Sequence, residues 1–194
     1  AYSPLEGAAE CGDTAIISAL LAKGADGDIN SRQIFGSTAL GYAVSNGHLE
    51  AVKLLVDRGA NVNDTFTNKD RRSLLEVAVA NGHADVADFL IGKGLSMTVL
   101  SGNSKQSLLD ESIVAGHGDV AAMLIAKGAA VAGVDADGRT PLHLAAMRGD
   151  AALVQLLLDK GADANLHDKD HCTPGQLAVL HDRVEAAGLL LDRR

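Results

Sequence analysis

Apolar residues recur along the chain in short runs with helical spacing, and each run ends at a glycine. In the clearest stretch, Thr140 and Pro141 can begin a helix. The threonine side chain accepts a hydrogen bond from a free backbone N–H group of the first turn, and proline has no backbone N–H group that would need a partner there. The apolar positions that follow continue to Gly149, and a second apolar run continues to Gly161. Glycine commonly ends a helix because it adopts the left-handed conformation without strain. The pattern predicts two short helices joined by a tight turn.

The same unit occurs six times in the 194 residues. Its copies begin near positions 3, 38, 73, 107, 140 and 173, so the spacings are 35, 35, 34, 33 and 33 residues. One glycine stands nine residues after each start and another twelve further on, at Gly12, Gly47, Gly82, Gly116 and Gly149 and then at Gly24, Gly59, Gly94, Gly128 and Gly161. In the last copy, Asp182 and Arg194 take these places. We therefore predict a single repeat domain over residues 1–194, with the first and last copies as its caps.

The period and several motifs resemble the ankyrin-repeat family, whose unit has about 33 residues and a T-P-L-H-x-A signature. The fifth copy carries that signature whole at residues 140–145, and turns such as Asn81-Gly82-His83 also fit. The resemblance covers nearly all of the chain from Ser3 onward. It implies an all-α solenoid of six helix-turn-helix units joined by hairpin fingers, with Asp137 and Gly138 at one finger turn. Fingers and first helices of such an array form a concave binding surface.

Composition and charge narrow the choice of partner. Apolar residues make up 47% and aromatic residues 3% of the chain, which suits closely stacked helices. The net charge of −8 argues against nucleic acid or an anionic membrane and favours a protein partner with a basic rim. No apolar run reaches the roughly 18 residues of a membrane span. The start at Ala1 favours a processed, exported or periplasmic protein, with a cytoplasmic protein as the alternative.

Histidines and carboxylates are the candidates for chemistry. The resemblance implies that four histidines bond to backbone within and between units, namely His48, His83, His117 and His143. Carboxylates stand at or beside the signature histidine position at Glu6, Glu76, Asp110 and Glu111. Acid–base catalysis needs an apolar pocket that separates two pKa values. We therefore interpret these carboxylates as acceptors for backbone donors. Since phosphate loops, nucleophile elbows and dinucleotide fingerprints are missing from the sequence, we expect neither an enzyme nor a cofactor.

The last finger offers an alternative as a metal site. It contains His167, His171 and Cys172, with His181 further along, and imidazole and thiolate are ligands that zinc prefers. A solvated finger is the favoured interpretation. The other cysteine, Cys11, lies five stacking steps of about 8–10 Å away, whereas a disulfide needs Cα atoms within about 7 Å. We expect no internal disulfide.

Large apolar and basic residues on the expected concave surface are the candidates for partner binding: Ile34, Phe35, Tyr42, Phe66, Lys69, Arg72, Met147 and Arg148. Aromatic and arginine side chains are common among residues that dominate interfaces. The alternative for Phe35 and Phe66 is that each ring folds back onto its own finger. Because the first three linkers are irregular in length, we expect the partner to use the N-terminal half most.

These features predict a monomeric, non-catalytic module that binds another protein. A stand-alone repeat array of this size suits an inhibitor or immunity protein for a partner enzyme. A host-directed effector and a cytosolic adaptor fit the sequence equally well, and a metal-binding protein is the alternative from a different class.

Overall fold

The residues that the structure describes form six successive pairs of short helices. The computed structural model describes residues 3–24, 29–32, 37–66, 71–98, 100–101 and 106–191. Within these residues the helices are α1 Pro4–Cys11, α2 Thr14–Ala22, α3 Ala39–Ser45, α4 Leu49–Asp57, α5 Leu74–Ala80, α6 Ala84–Gly92, α7 Leu108–Ala115, α8 Gly118–Ala126, α9 Pro141–Arg148, α10 Ala151–Asp159, α11 Pro174–Leu180 and α12 Val184–Leu191. None of them combines the length and the apolar character needed to cross a membrane.

The residue at each predicted repeat start caps the first helix of its pair. Each side chain accepts a hydrogen bond from the backbone N–H three positions on, as predicted from the Ser/Thr pattern, at Ser3, Thr38, Ser73, Ser107, Thr140 and Thr173. The six repeat starts therefore correspond to six helix starts.

The linkers carry short hairpins. Strand β1 (Leu100–Ser101) pairs antiparallel with β2 (Gln106–Ser107), and Thr65 forms an isolated bridge with Ser73. In the finger between α8 and α9, the Asp135 N–H donates to the Arg139 carbonyl at 3.0 Å. This bond closes a turn through residues 137 and 138, as predicted. Helices otherwise dominate the described residues, so the prediction of an all-α repeat fold is confirmed.

Contacts divide the chain into two compact units, Ala1–Ser96 and Met97–Arg194. In the first unit, α1, α3 and α5 pack in succession, and α2, α4 and α6 form the second row. In the second unit, α7, α9 and α11 pack in succession beside a row of α8, α10 and α12. The single domain and the capping role of the end copies stay predictions. The last pair exposes apolar side chains at Val179, Leu180, Val184 and Leu191.

Alanine and larger aliphatic residues form the core of each unit. Ala43, Ala145 and Ala178 on the first helices are fully buried, as are Leu55 and Leu157 on the second helices. Small residues let the first helices approach one another closely, and a larger side chain there would overpack the contact. The apolar positions identified by their helical spacing are thus the positions that the pairs bury against their neighbours.

The ten glycines in register all adopt positive φ, between 72° and 96°. Two residues without that freedom occupy equivalent turns in the last copy. Asp182 has φ 58° where the five earlier copies have glycine, and His171 has φ 61° where the preceding finger has Gly138 at φ 76°. A side chain with a Cβ is strained in this region, although aspartate tolerates it better than most.

We expect His171→Gly to stabilise the protein by about 0.5–1 kcal/mol, because relief of the left-handed strain exceeds the entropy that glycine adds to the unfolded chain. Urea unfolding followed by circular dichroism measures the difference.

Gly138→Ala is the matched control at the equivalent finger position, and we expect it to destabilise by about 1–2 kcal/mol. Its Cβ would also lie 3.3 Å from the Lys169 backbone nitrogen. A loss of stability in His171→Gly, or no loss in Gly138→Ala, would contradict the strain argument.

Candidate functional site

The carboxylates at the signature histidine position are structural. The backbone N–H of Ser3 donates to Glu6 Oε2 at 2.8 Å, and that of Ser73 donates to Glu76 Oε2 at 2.7 Å. The Ser107 N–H likewise donates to an oxygen of Asp110 at 2.9 Å. Each carboxylate completes a capping box at the start of a first helix. The interpretation as acceptors for backbone donors is confirmed for Glu6, Glu76 and Asp110, and for Glu111 it stays a prediction.

His143 has the same place in the fifth copy and adds a bond to the next finger. Its Nδ1 accepts from the Thr140 N–H at 3.1 Å, and its Nε2 lies 3.2 Å from the Cys172 carbonyl, so Nε2 must carry the proton. Burial lowers the pKa of His143, while its bond to the Cys172 carbonyl and the charge of Asp168 oppose this effect. A neutral imidazole therefore links one helix pair to the next, as the resemblance implied.

Asp110 is the least well accommodated of these groups. One carboxylate oxygen accepts from Ser107, but the other, Oδ1, is buried without a hydrogen-bond partner. Burial raises the pKa of Asp110, and the nearby Asp135 raises it further, against the hydrogen bonds from Ser107. The ionised form is therefore disfavoured in the folded protein.

A second set of bonds joins the ends of the first helices. In the first unit, His48 Nε2 lies 2.9 Å from the Glu10 carbonyl, and His83 Nε2 lies 3.0 Å from the Ser45 carbonyl. These two contacts confirm the backbone role that the resemblance implied for His48 and His83, and for His117 that role stays a prediction.

Arginines make the corresponding bonds in the second unit. Arg148 Nη1 donates to the Val114 carbonyl at 2.7 Å, and Arg183 Nε donates to the Met147 carbonyl at 3.1 Å. The accepting carbonyl belongs in each case to the residue seven positions after a repeat start. Arg148, a candidate for partner binding, thus also holds neighbouring helix pairs together.

The candidate partner-binding residues of the first unit are only partly exposed. Tyr42 on α3 and Phe66 on the second finger are both half-buried. The Phe66 ring lies over α3, since a Cβ added at Gly41 would stand 3.3 Å from Phe66 Cζ. The Phe66 N–H donates to the Arg72 carbonyl at 2.9 Å, which fixes both residues in one hairpin. Ile34, Phe35 and Lys69 lie outside the described residues.

In the second unit, Met147 is half-buried at the end of α9. Exposed apolar residues occupy the same repeat position in the neighbouring first helices, at Val114 and Leu180. We call these three residues the apolar row. Sequence reasoning identified only Met147, and a comparison of the residues seven positions after each start would have found the other two.

The two regular fingers carry a cluster of charges. Arg139 lies 3.6 Å from carboxylate oxygens of both Asp137 and Asp168 and 3.9 Å from one of Asp170. Burial alone would raise the pKa of Asp168, but the N–H groups of Cys172 and Asp170 and the nearby charges lower it overall. Lys169 donates to carbonyls of the preceding finger through both its backbone N–H and its ammonium group. These contacts fasten the two fingers together.

The last finger does not assemble into a metal site. His167 and His171 are exposed, and the Cys172 thiol donates to the Asp170 carbonyl at 3.7 Å. Within the described residues, no group of three or more histidine, cysteine or acidic side chains is placed to hold a metal ion. The metal-binding alternative therefore receives no support from this geometry.

Known ankyrin-repeat sequences match the same stretches of the chain that form the helix pairs. A family model described as ankyrin repeats in three copies matches residues 5–101 and again residues 109–194. A curated Rickettsia felis protein named as an ankyrin repeat protein is 45% identical over 71 residues, which are 36% of this chain and 36% of that relative.

A solved structure is similar over the whole length. It contains the predatory endopeptidase Bd0816 from Bdellovibrio bacteriovorus in complex with the immunity protein Bd3460. The matched chain gives a TM-score of 0.80 at 27% identity, with 100% of both chains covered.

We expect Asp110→Asn to gain stability relative to wild type as pH rises, since asparagine can accept the Ser107 hydrogen bond without burying a charge. The raised pKa of Asp110 means that the folded state holds its proton more tightly than the unfolded state. The stability it contributes is full in acid and is lost as pH rises through the raised pKa. The margin of the variant over wild type therefore shrinks as pH falls. Urea unfolding at a series of pH values measures it.

Asp170→Asn, which removes an exposed finger carboxylate, is the control for loss of one negative charge. Such surface changes ordinarily stay within about 0.5 kcal/mol. A margin for Asp110→Asn that does not depend on pH would contradict the assignment.

Proposed function

Because the chain belongs to the ankyrin-repeat family and is a protein-interaction module, we propose that it acts without catalysis as an inhibitor or immunity protein for a partner enzyme. The single observation that carries this proposal is the similarity over the full length to a chain in an endopeptidase–immunity protein complex. An endopeptidase is therefore the first class of partner to test.

The chemistry of the described residues supports a binding role. The carboxylates that could have served acid–base chemistry accept backbone hydrogen bonds at helix starts. His143 is likewise fully used between Thr140 and the next finger. These side chains already make hydrogen bonds that hold the repeats together. We therefore expect a partner to contact the exposed surface of the helices and fingers.

The binding residues proposed from the sequence stay proposals. They include Tyr42, Phe66 and Arg72 in the first unit and Met147 and Arg148 in the second, together with Ile34, Phe35 and Lys69. A protein partner with a basic rim suits the net charge of −8, because complementary charge speeds association.

We expect the tagged 194-residue chain to capture a specific enzyme from native lysate and to inhibit it. Mass spectrometry identifies the captured protein, and the purified enzyme is then titrated with the purified chain. A tight inhibitor removes activity in proportion to its amount until the two are equimolar. Enzymes encoded beside this chain are the first to be assayed.

An unrelated peptidase that is not captured serves as the control for non-specific inhibition. A captured enzyme that keeps full activity at saturation would refute the inhibitor role while leaving a binding module. Repeated conversion of a substrate, with many turnovers per molecule of the purified chain alone, would refute the non-catalytic role.

A further inference from the structure

The position seven residues after each repeat start differs in chemistry between the two units. In the second unit it holds the apolar row, in which Val114 is 48% and Leu180 is 70% exposed and Met147 is half-buried. In the first unit the same position holds Glu10, Ser45 and Ala80. The row is therefore a property of the second unit alone.

Two residues of the row are held in place through their backbone carbonyls. Arg148 donates to the Val114 carbonyl and Arg183 donates to the Met147 carbonyl, so the ends of α7 and α9 are fixed by the following copy. Because α7, α9 and α11 pack in succession, the side chains recur at one helix spacing, about 8–10 Å. A surface fixed in advance loses little conformational entropy on binding.

The row ends in a pocket. Leu180 lines an apolar cavity of about 320 Å³ together with Val179, Leu191, Gly175, Gln176 and Cys172. A cavity of this size accommodates one large apolar side chain of a partner. Aliphatic and aromatic anchors that fill such pockets dominate many protein interfaces.

Charge differs on the two flanks of the row. Each finger precedes its first helix, so the fingers lie about 10 Å from the row, at the opposite end of the helices. Residues 135–139 and 168–170 contain four aspartates against one arginine and one lysine. Asp137 and Asp170 are 65% and 78% exposed. The other flank carries the guanidinium groups of Arg148 and Arg183.

We propose that the apolar row docks a protein segment that presents apolar side chains at intervals of about 10 Å, with lysine or arginine directed toward the acidic fingers. This proposal rests on the proposed function and names the chemistry of the partner. Apolar residues seven apart on a helix have the required interval of about 10.5 Å. The opposed flanks fix the direction in which the segment lies. The main contact is then in the second unit and not in the N-terminal half.

Selection of peptides on the full chain tests this chemistry without the native partner. The probe is a displayed library of random peptides about 16 residues long. We expect enrichment of peptides that combine spaced leucine, isoleucine or phenylalanine with lysine or arginine in excess over acidic residues. Absence of enrichment, or enrichment of peptides with a net negative charge, would overturn the proposal.

Variants of the row then locate the binding. We expect Leu180→Asp and, separately, Val114→Asp to raise the Kd of a selected peptide about tenfold or more. Both side chains are exposed, so the helices are expected to survive, and circular dichroism verifies this. If one variant fails to fold, the other decides. Ile16→Asp is the matched control, since Ile16 is 51% exposed on α2 and lies outside the row. Equal Kd values for Leu180→Asp, Val114→Asp and Ile16→Asp would overturn the proposal.

The fingers are tested separately by Asp137→Asn combined with Asp170→Asn, which we expect to weaken the peptide several-fold and to reduce the dependence of its Kd on salt. An unchanged salt dependence would refute the orientation that we propose. If a captured enzyme is inhibited equally by wild type and by the row variants, the proposed function stands and the docking inference fails.

Discussion

Burial between successive helix pairs is the interaction on which the rest of this structure depends. The helices in the described residues have seven to nine residues each, shorter than the roughly 12–15 that an isolated helix needs in water. One pair has apolar positions on more than one side and cannot bury them alone. Stability therefore arises from stacking, and each turn must return the chain in the same register so that the next pair can stack.

Two backbone devices keep that register. Glycines with positive φ end the helices at fixed intervals. In the second unit, a guanidinium group of the next copy also donates to a main-chain carbonyl at the end of the preceding first helix. Imidazole performs the second task in the first unit, at His48 and His83. The chemistry of the donor can change because, in these four contacts, the acceptor is a main-chain carbonyl at a constant repeat position.

Most of the fold could be predicted from the sequence, because glycine spacing, Ser/Thr caps and apolar periodicity are local signals that the stacking preserves. The role of Glu6 and Glu76 was also predictable, since a capping box needs only an acceptor three residues after the cap. The site was less accessible. Two of its features depend on contacts between residues distant in sequence. One is the hydrogen bond from Arg148 to the Val114 carbonyl, and the other is the position of the Phe66 ring over Gly41. Periodicity gives no measure of exposure. The repeat position of Leu180 could therefore be identified from the sequence, but its exposed fraction of 70% could not.

The separation of backbone and side-chain roles explains how such a protein can change its binding surface. The residue seven positions after a repeat start contributes its carbonyl to stacking, whether it is Glu10, Ser45, Val114 or Met147. Its side chain is not required for that bond and is free to differ between copies. Substitution there alters the surface offered to a partner at little cost in stability. Substitution at the buried apolar residues one position earlier, such as Val44 or Ala146, disturbs the stacking itself. A sequence can thus exchange polar for apolar contact chemistry in one unit while the helix pairs keep the same register.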